Sequence, residues 1–372
     1  NTRVSCPSVM TALRPLANGV YGVWNPNSRL ARSYVTLAEI LQSKGWSTAA
    51  FLQNGNAGPD TGLGQGFDRV LENIPGRADA VYGGAAVTWL RDMKDRNFFG
   101  YLHIADPHAP YEPPAENRRW YEDLVAESGG PQWSDPDWVA AARRALYDGE
   151  IASNDAALHL LTDELERLEL LDDTLVVLIA DHGEHLGEHD LWMHIPPSYI
   201  QVVHVPMLMR YPSRIAAGKI VDEQVGTIDL MPTILDLAGL DISGLPVHGR
   251  SLAPLVATGE RPWLQEVAVV QEAVLFSHPE DRRLMGSLFW DRWHFLNSLR
   301  AGPVLFDCLS DRTESRRFEP SREIEERALG LLAELQTLDG EVRRRLGSEA
   351  DSGVEMGLET IQNLEALGYL GE

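Results

Sequence analysis

Asp181 and His182 close an apolar run, Leu175 to Ala180, and are followed at once by Gly183. A buried parallel strand delivers side chains to the carboxyl edge of its sheet in this way, and α/β enzymes keep their chemistry at that edge. Within a strand the two side chains would point to opposite faces, but past its end both can turn toward one ion. A carboxylate oxygen with an imidazole nitrogen suits Zn²⁺, Mn²⁺ or, less typically for the imidazole, Ca²⁺. Gly183 would let the backbone pass close to the ligand. His185, His189 and His194 follow, among Glu184, Glu188 and Asp190. The bland alternative is a capping aspartate beside a core histidine.

A second cluster, His103-Ile104-Ala105-Asp106-Pro107-His108-Ala109-Pro110-Tyr111, ends another apolar stretch. Pro107 and Pro110 stiffen it and are expected to hold it extended, which preorganises His108. A cationic imidazole there would hold an anionic oxygen or protonate a leaving group. His103, on the strand itself, reads as a satisfied core histidine. His194, flanked by Trp192 and Met193, is either a residue that closes over a substrate or an ordinary loop residue. His185 and His189 have the i, i+4 spacing of a helical metal pair, but Gly187 between them weakens such a helix and makes them loop residues. Asp155 and His159 share the D-x-x-x-H spacing on a long helix, where a solvated or core face is the simpler reading.

The elements that must carry these residues alternate. Thr36 starts a capped helix that closes at Lys44-Gly45, and Ser47 to Leu52 follows as a strand. A helix over Asp79 to Lys94 precedes the strand Phe98 to Ile104. A long helix from Ala140 to Leu168 precedes the strand that ends at Asp181. Val205 to Tyr211 is another strand, and Asp229 is placed to cap a helix from Leu230 to Ala238 that stops at Gly239. Strands separated by helices predict an α/β fold with a doubly wound, mostly parallel sheet flanked by helices. Near residue 265 the pattern changes to short successive strands, Glu266 to Ser277, Leu284 to Trp290, Trp293 to Ser298 and Val304 to Cys308, then a charged helix from Arg322 to Leu338. This predicts a catalytic domain over 1–262, a smaller antiparallel sheet with a helix over 263–338, and a tail over 339–372 whose apolar end, Leu364 to Leu370, docks on the body.

The chain has 372 residues and a net charge of −23, from 55 acidic and 32 basic residues, which disfavours nucleic acid as a partner. An anionic substrate would then need local compensation, which a cation supplies. Two cysteines, Cys6 and Cys308, exclude a disulfide framework. No apolar run is long enough to span a membrane. The opening NTRVSCPS already has the look of an active segment, so a preceding segment is expected to be missing, and localisation is not readable. Oligomeric state is left open.

Together these segments resemble the sulfatase family of the alkaline phosphatase superfamily, over nearly the whole chain. DHGEHLGEH with the later His194 is similar to the family's metal strand and substrate loop, and DPHAPYEPP to its central His-Pro segment. TLAEILQSKGWSTAAF, GLGQGFDRV, YDGEIASND, VPMLMRYP, TIDLMPTILDLAGL, LFDCLSDRTE and EALGYL resemble its framework in order. The resemblance implies hydrolysis of a small-molecule or carbohydrate sulfate ester. Asp181 and His182 would be ligands of one divalent ion, Ca²⁺ by preference, with Mn²⁺ or Zn²⁺ as alternatives. His108 and His194 would contact the transferring group or protonate the leaving oxygen.

The family carries its nucleophile at a helix start, in a pattern C/S/T-x-P-S-R followed by T-G-x-x-P-x-x-H-G-V. Thr11 to Val20 fits the second part without a gap, which places Thr2 on the nucleophile and Val4 on the Pro. A rival register uses Ser5-Cys6-Pro7-Ser8, with Ser5 attacking. Neither register has the pattern's Arg. Sulfatases use formylglycine, made from Cys or Ser, because its hydrate expels sulfate by collapsing to the aldehyde. Thr cannot be converted in that way, and a Thr nucleophile is better known in related phosphodiesterases and phosphotransferases. The family's first strand, with one or two further metal aspartates, precedes the nucleophile and is not found here. The alternatives are therefore a phosphodiesterase or phosphonate monoester hydrolase on the same scaffold, or a non-catalytic binding protein with a degenerate site.

Overall fold

The computed structural model describes residues 1–20, 28–194, 198–241, 243–244, 246–260, 269–274, 284–298 and 302–346. The predicted docking of Leu364 to Leu370 and the boundary at 262 lie outside them.

The first helix, α1 (Thr2–Thr11), is buried along nearly its whole length. Asn1 caps it, its side chain accepting from Arg3 N at 3.1 Å. Met10 and Leu13 pack with Leu37 and Leu41 of α2 (Leu37–Ser43) and with Leu52. The predicted cap of α2 is present in full. Thr36 Oγ1 accepts from Glu39 N at 3.2 Å, and Glu39 Oε2 accepts from Thr36 N at 2.9 Å.

Three parallel strands follow, β1 (Ser47–Leu52), β2 (Arg69–Leu71) and β3 (Phe98–His103), in the order β2-β1-β3. The helix predicted over Asp79 to Lys94 is a wide π turn, Ala80–Ala86, continued by a short α-helix that ends at Leu90. The long helix α3 (Pro136–Arg167) starts earlier than expected, because Asp135 caps it through Asp137 N and Trp138 N and Pro136 suits its first turn. It leads to β4 (Val176–Ile179). The strand predicted at 205–211 is β7 (Met207–Arg210), and it pairs antiparallel with β4. Between them lies a two-strand hairpin, β5 (His185–Leu186) and β6 (Trp192–Met193).

Among the described residues β3 pairs only with β1, and β4 only with β7. A cavity of about 1060 Å³ lies between them, lined by 98–103 on one side and 174–180 on the other. Thr2, His108, Asp181 and His182 stand in its wall.

After α4 (Ile200–Val203) and α5 (Leu230–Leu237), the C-terminal part is the predicted antiparallel sheet. Its order is β11-β10-β9-β8, from β8 (Val269–Val274), β9 (Leu284–Trp290), β10 (Trp293–Ser298) and β11 (Gly302–Asp307). Asp229 does not cap α5 through its side chain in the expected way. Its carboxylate takes Gly226 N and Arg250 N instead, at 2.8 Å each. The last helix, α6 (Arg322–Arg345), runs past the predicted end at Leu338. Past that point Asp339 is 1% exposed and pairs with Arg14 at 2.7 Å, tying α6 to the segment that follows α1. Removing one partner of such a buried pair strands a charge at a cost of about 3–5 kcal/mol.

Candidate active site

The end of β4 brings Asp181 and His182 to the cavity wall, but the strand expected to be buried and parallel is half-exposed and, among the described residues, pairs antiparallel with β7. His182 N donates to Asp181 Oδ1 at 3.0 Å, and His182 Nδ1 lies 2.9 Å from Gly183 O, so Nε2 faces the cavity. Gly183 is required by close approach rather than by conformation. A Cβ there would stand 2.1 Å from Gln201 O.

Thr2, the first residue of α1, places Oγ1 3.4 Å from His182 Nε2. The helix start carries partial positive charge and unpaired N–H groups, which favour an anion beside Thr2. Ser5, one turn further, donates its hydroxyl to Asn1 O at 2.9 Å within its own helix.

His103 is largely buried, as expected of a strand histidine, and its partner is Asp181. It lies at the very end of β3, and its Nε2 stands 3.6 Å from Asp181 Oδ2 across the cavity. Cys6 joins them, with ligand-capable atoms of Cys6, His103 and Asp181 within 4.8 Å of one another. Tyr101 donates to Cys6 Sγ at 3.3 Å. Burial acts to lower the His103 pKa, but Asp181 and Cys6 outweigh it and raise it to about 10. Burial acts to raise Asp181, yet His182 and His103 hold its carboxyl well below the usual range. Burial brings His182 down to about 3, so its imidazole is neutral and able to ligate.

His194 is buried and faces both other histidines, 4.2 Å from the His182 ring and 5.2 Å from the His108 ring. Its Nδ1 lies 2.7 Å from Glu184 Oε1, and Tyr111 Oη donates to Glu184 Oε2 at 2.7 Å. Burial acts to raise Glu184, but the His194 contact keeps it low, while burial and Glu184 push the Tyr111 hydroxyl well above its ordinary value. Burial lowers the His194 pKa, and a neutral His194 with Nδ1–H on Glu184 leaves Nε2 unprotonated, an acceptor. Glu184 and Tyr111 were not singled out from sequence as holding His194. Their only signal was proximity to the histidines, in the HGE and PHAPY segments.

The His108 segment is folded, not extended as the prolines predicted: His108 N donates to Ala105 O at 3.0 Å, closing a turn. The fold still brings the side chain to the cavity. His185 lies in β5, fully buried, rather than in a loop, and His189 stacks on Tyr199 at 3.8 Å. Asp155 and His159 are exposed on α3, as a solvated face requires.

The donor set fits a divalent cation. Asp181 Oδ2 is buried and has no hydrogen-bond partner among the described residues, and a buried carboxylate oxygen left so is a position an ion satisfies.

Residues 1–240 match the Sulfatase family. Human arylsulfatase K is 38% identical over 318 residues, which cover 68% of this chain and 58% of that protein. Rat arylsulfatase K is 25% identical over 318 residues, covering 68% and 54%. The chain thus spans a little over half the length of these relatives. Among solved structures, the phosphonate monoester hydrolase of Agrobacterium radiobacter superposes with a TM-score of 0.71 at 18% identity, covering 92% of this chain and 86% of that one. A protein solved in complex with its substrate D-glucosamine-2-N,6-O-disulfate gives 0.67 at 17% identity, covering 95% and 90%. The order of motifs, the α/β fold and the residue match agree: the chain belongs to the sulfatase family.

Proposed function

We propose that the chain carries the catalytic domain of a metal-dependent sulfate ester hydrolase, with Thr2 attacking sulfur in line with the departing alcohol. The contact between Thr2 Oγ1 and His182 Nε2 at the start of α1 supports this most directly. Asp181 and His182 would hold the cation, Ca²⁺ by family preference, with Mn²⁺ or Zn²⁺ also suited to these donors. When bound, the ion supplies positive charge to the hydroxyl that must ionise and to the group in transfer. His108 orients that group, and His194, unprotonated at Nε2 while Glu184 holds its Nδ1–H, takes up the proton that Thr2 releases and passes it to the leaving oxygen. Water then attacks sulfur of the sulfo-threonine and releases Thr2 unchanged. One or two further ligands are needed, and an extended segment bearing aspartates would fit the slot between β3 and β4. The substrate class is a sulfated small molecule or carbohydrate.

A second reading is favoured by Thr2 itself, which lacks the aldehyde exit of formylglycine. A phosphodiesterase or phosphonate monoester hydrolase needs no such exit. Initial rates on an aryl sulfate, an aryl phosphate diester and an aryl phosphonate monoester decide between them. Metal-dependent turnover of the sulfate supports the favoured reading. Preference for either phosphorus ester overturns it, and silence on all three points to a binding protein.

Glu184→Gln tests the role given to His194. With the carboxylate gone, kcat on alkyl esters with poor leaving groups should fall about tenfold or more. Activated aryl esters, which leave without a proton, should change little. A uniform loss across leaving groups would remove proton donation from His194.

A further inference from the structure

The C-terminal sheet holds a fully buried polar relay that the proposed mechanism does not use. His294 in β10 is 0% exposed, and its Nε2 lies 2.6 Å from Ser287 Oγ on β9. Its Nδ1 is hydrogen-bonded to Glu314 Oε1. Phe289 stacks on the His294 ring at 3.8 Å. The order Ser-His-Glu is that of a hydrolase triad, but all three residues are 3% exposed or less, with no path for a substrate.

What the relay does reach is the active-site loop. Glu314 Oε2 accepts from Ile200 N at 2.8 Å, at the first residue of α4. Two more bonds tie the same segment to the same strap, Gln201 Nε2 to Thr313 O at 3.0 Å and Arg317 to Tyr199 Oη at 3.0 Å. On its other side α4 meets the metal-ligand turn, where Gly183 N donates to Val202 O at 2.8 Å. Glu314 itself sits at φ 55, a conformation that costs a non-glycine residue energy and is kept here by the surrounding contacts. A buried carboxylate and left-handed backbone are an expensive way to hold a loop unless its position matters.

We propose that Glu314 is a positioning residue through which the C-terminal sheet sets α4, and through Val202 the turn Asp181-His182-Gly183. The chain of contacts runs Ser287, His294, Glu314, Ile200, then Val202 to Gly183. This rests on the proposed function only in giving that turn its catalytic meaning. The structural coupling stands without it.

Three substitutions test the link, one that breaks it and two controls. Ile200→Pro removes the N–H that Glu314 accepts. Ile200 is the first residue of a helical turn, and Tyr199 before it is already extended (φ −66°, ψ 170°), so proline fits the backbone. Ile200→Ala controls for the lost side chain. Glu314→Gln is the conservative partner: its amide can accept from Ile200 N and donate to His294 Nδ1 if the ring changes tautomer. Hydrogen exchange read by mass spectrometry on peptides covering 181–184, 199–204, 47–52 and 286–296 needs no substrate. In Ile200→Pro, exchange should rise at 181–184 as well as 199–204, with 47–52 and 286–296 unchanged, while Glu314→Gln and Ile200→Ala stay near wild type. On any ester the wild type turns over, kcat of Ile200→Pro should fall about tenfold or more, since small misplacements of reacting groups carry that cost. Unchanged exchange at 181–184 in Ile200→Pro overturns the proposal, and so does an equal rise in all four peptides. Absence of turnover in the wild type would count against the proposed function alone.

Discussion

Thr2→Ala should lower turnover at least about a thousandfold, whatever ester proves to be the substrate, because the covalent route loses its attacking atom. The helix start, the His182 contact and the buried setting all converge on this one hydroxyl. Ser5→Ala is the necessary companion. Ser5 spends its hydroxyl on Asn1 O, so its loss should change rates by no more than a few-fold. The two variants assayed side by side, with intact mass after a rapid quench to catch a sulfo group on the α1 peptide, decide the register. An inactive Ser5→Ala beside an active Thr2→Ala would move the nucleophile by one helical turn and leave the His182 contact without a catalytic purpose.

The second large effect is expected at Asp181. Its carboxyl is ionised in the folded chain because His182 and His103 outweigh the burial that opposes it, and one of its oxygens has no hydrogen-bond partner among the described residues. Asp181→Asn keeps the shape and removes the charge. Calorimetric titration with Ca²⁺, Mn²⁺ and Zn²⁺ should show at least about a hundredfold weaker binding of whichever ion the wild type prefers, and metal-dependent turnover should fall by a similar or larger factor. Equal metal affinity in wild type and variant would remove Asp181 from the ligand set and leave the Asp181–His103 pair as a structural contact.

What could be read in the sequence followed the range of the interactions involved. The run Leu175 to Ala180 announced β4 and the groups at its end, but not its setting: the strand is half-exposed and pairs antiparallel among the described residues, where a buried parallel strand was expected. The Thr36–Glu39 cap was legible because both partners lie within four residues. The partner of His103 was not legible, because Asp181 lies 78 positions away and meets it only in the folded chain. The direction of β7 was not read from its sequence, although its burial alternates along Met207–Arg210 as that of a half-solvated antiparallel strand commonly does. The prolines around His108 argued for extended chain, and a backbone hydrogen bond to Ala105 folded it instead. Glu184 stood in view beside the histidines but offered no sign that His194 and Tyr111 would share its two oxygens.

The unpaired edges of β3 and β4 bear on what the slot between them can take. Among the described residues both strands line the cavity without pairing to one another, and strand edges of that kind accept a further strand at a spacing of about 4.8 Å. An extended segment seated there would add its own side chains beside His103 and Asp181, so one insertion would both close the sheet and complete the ligand set of the ion.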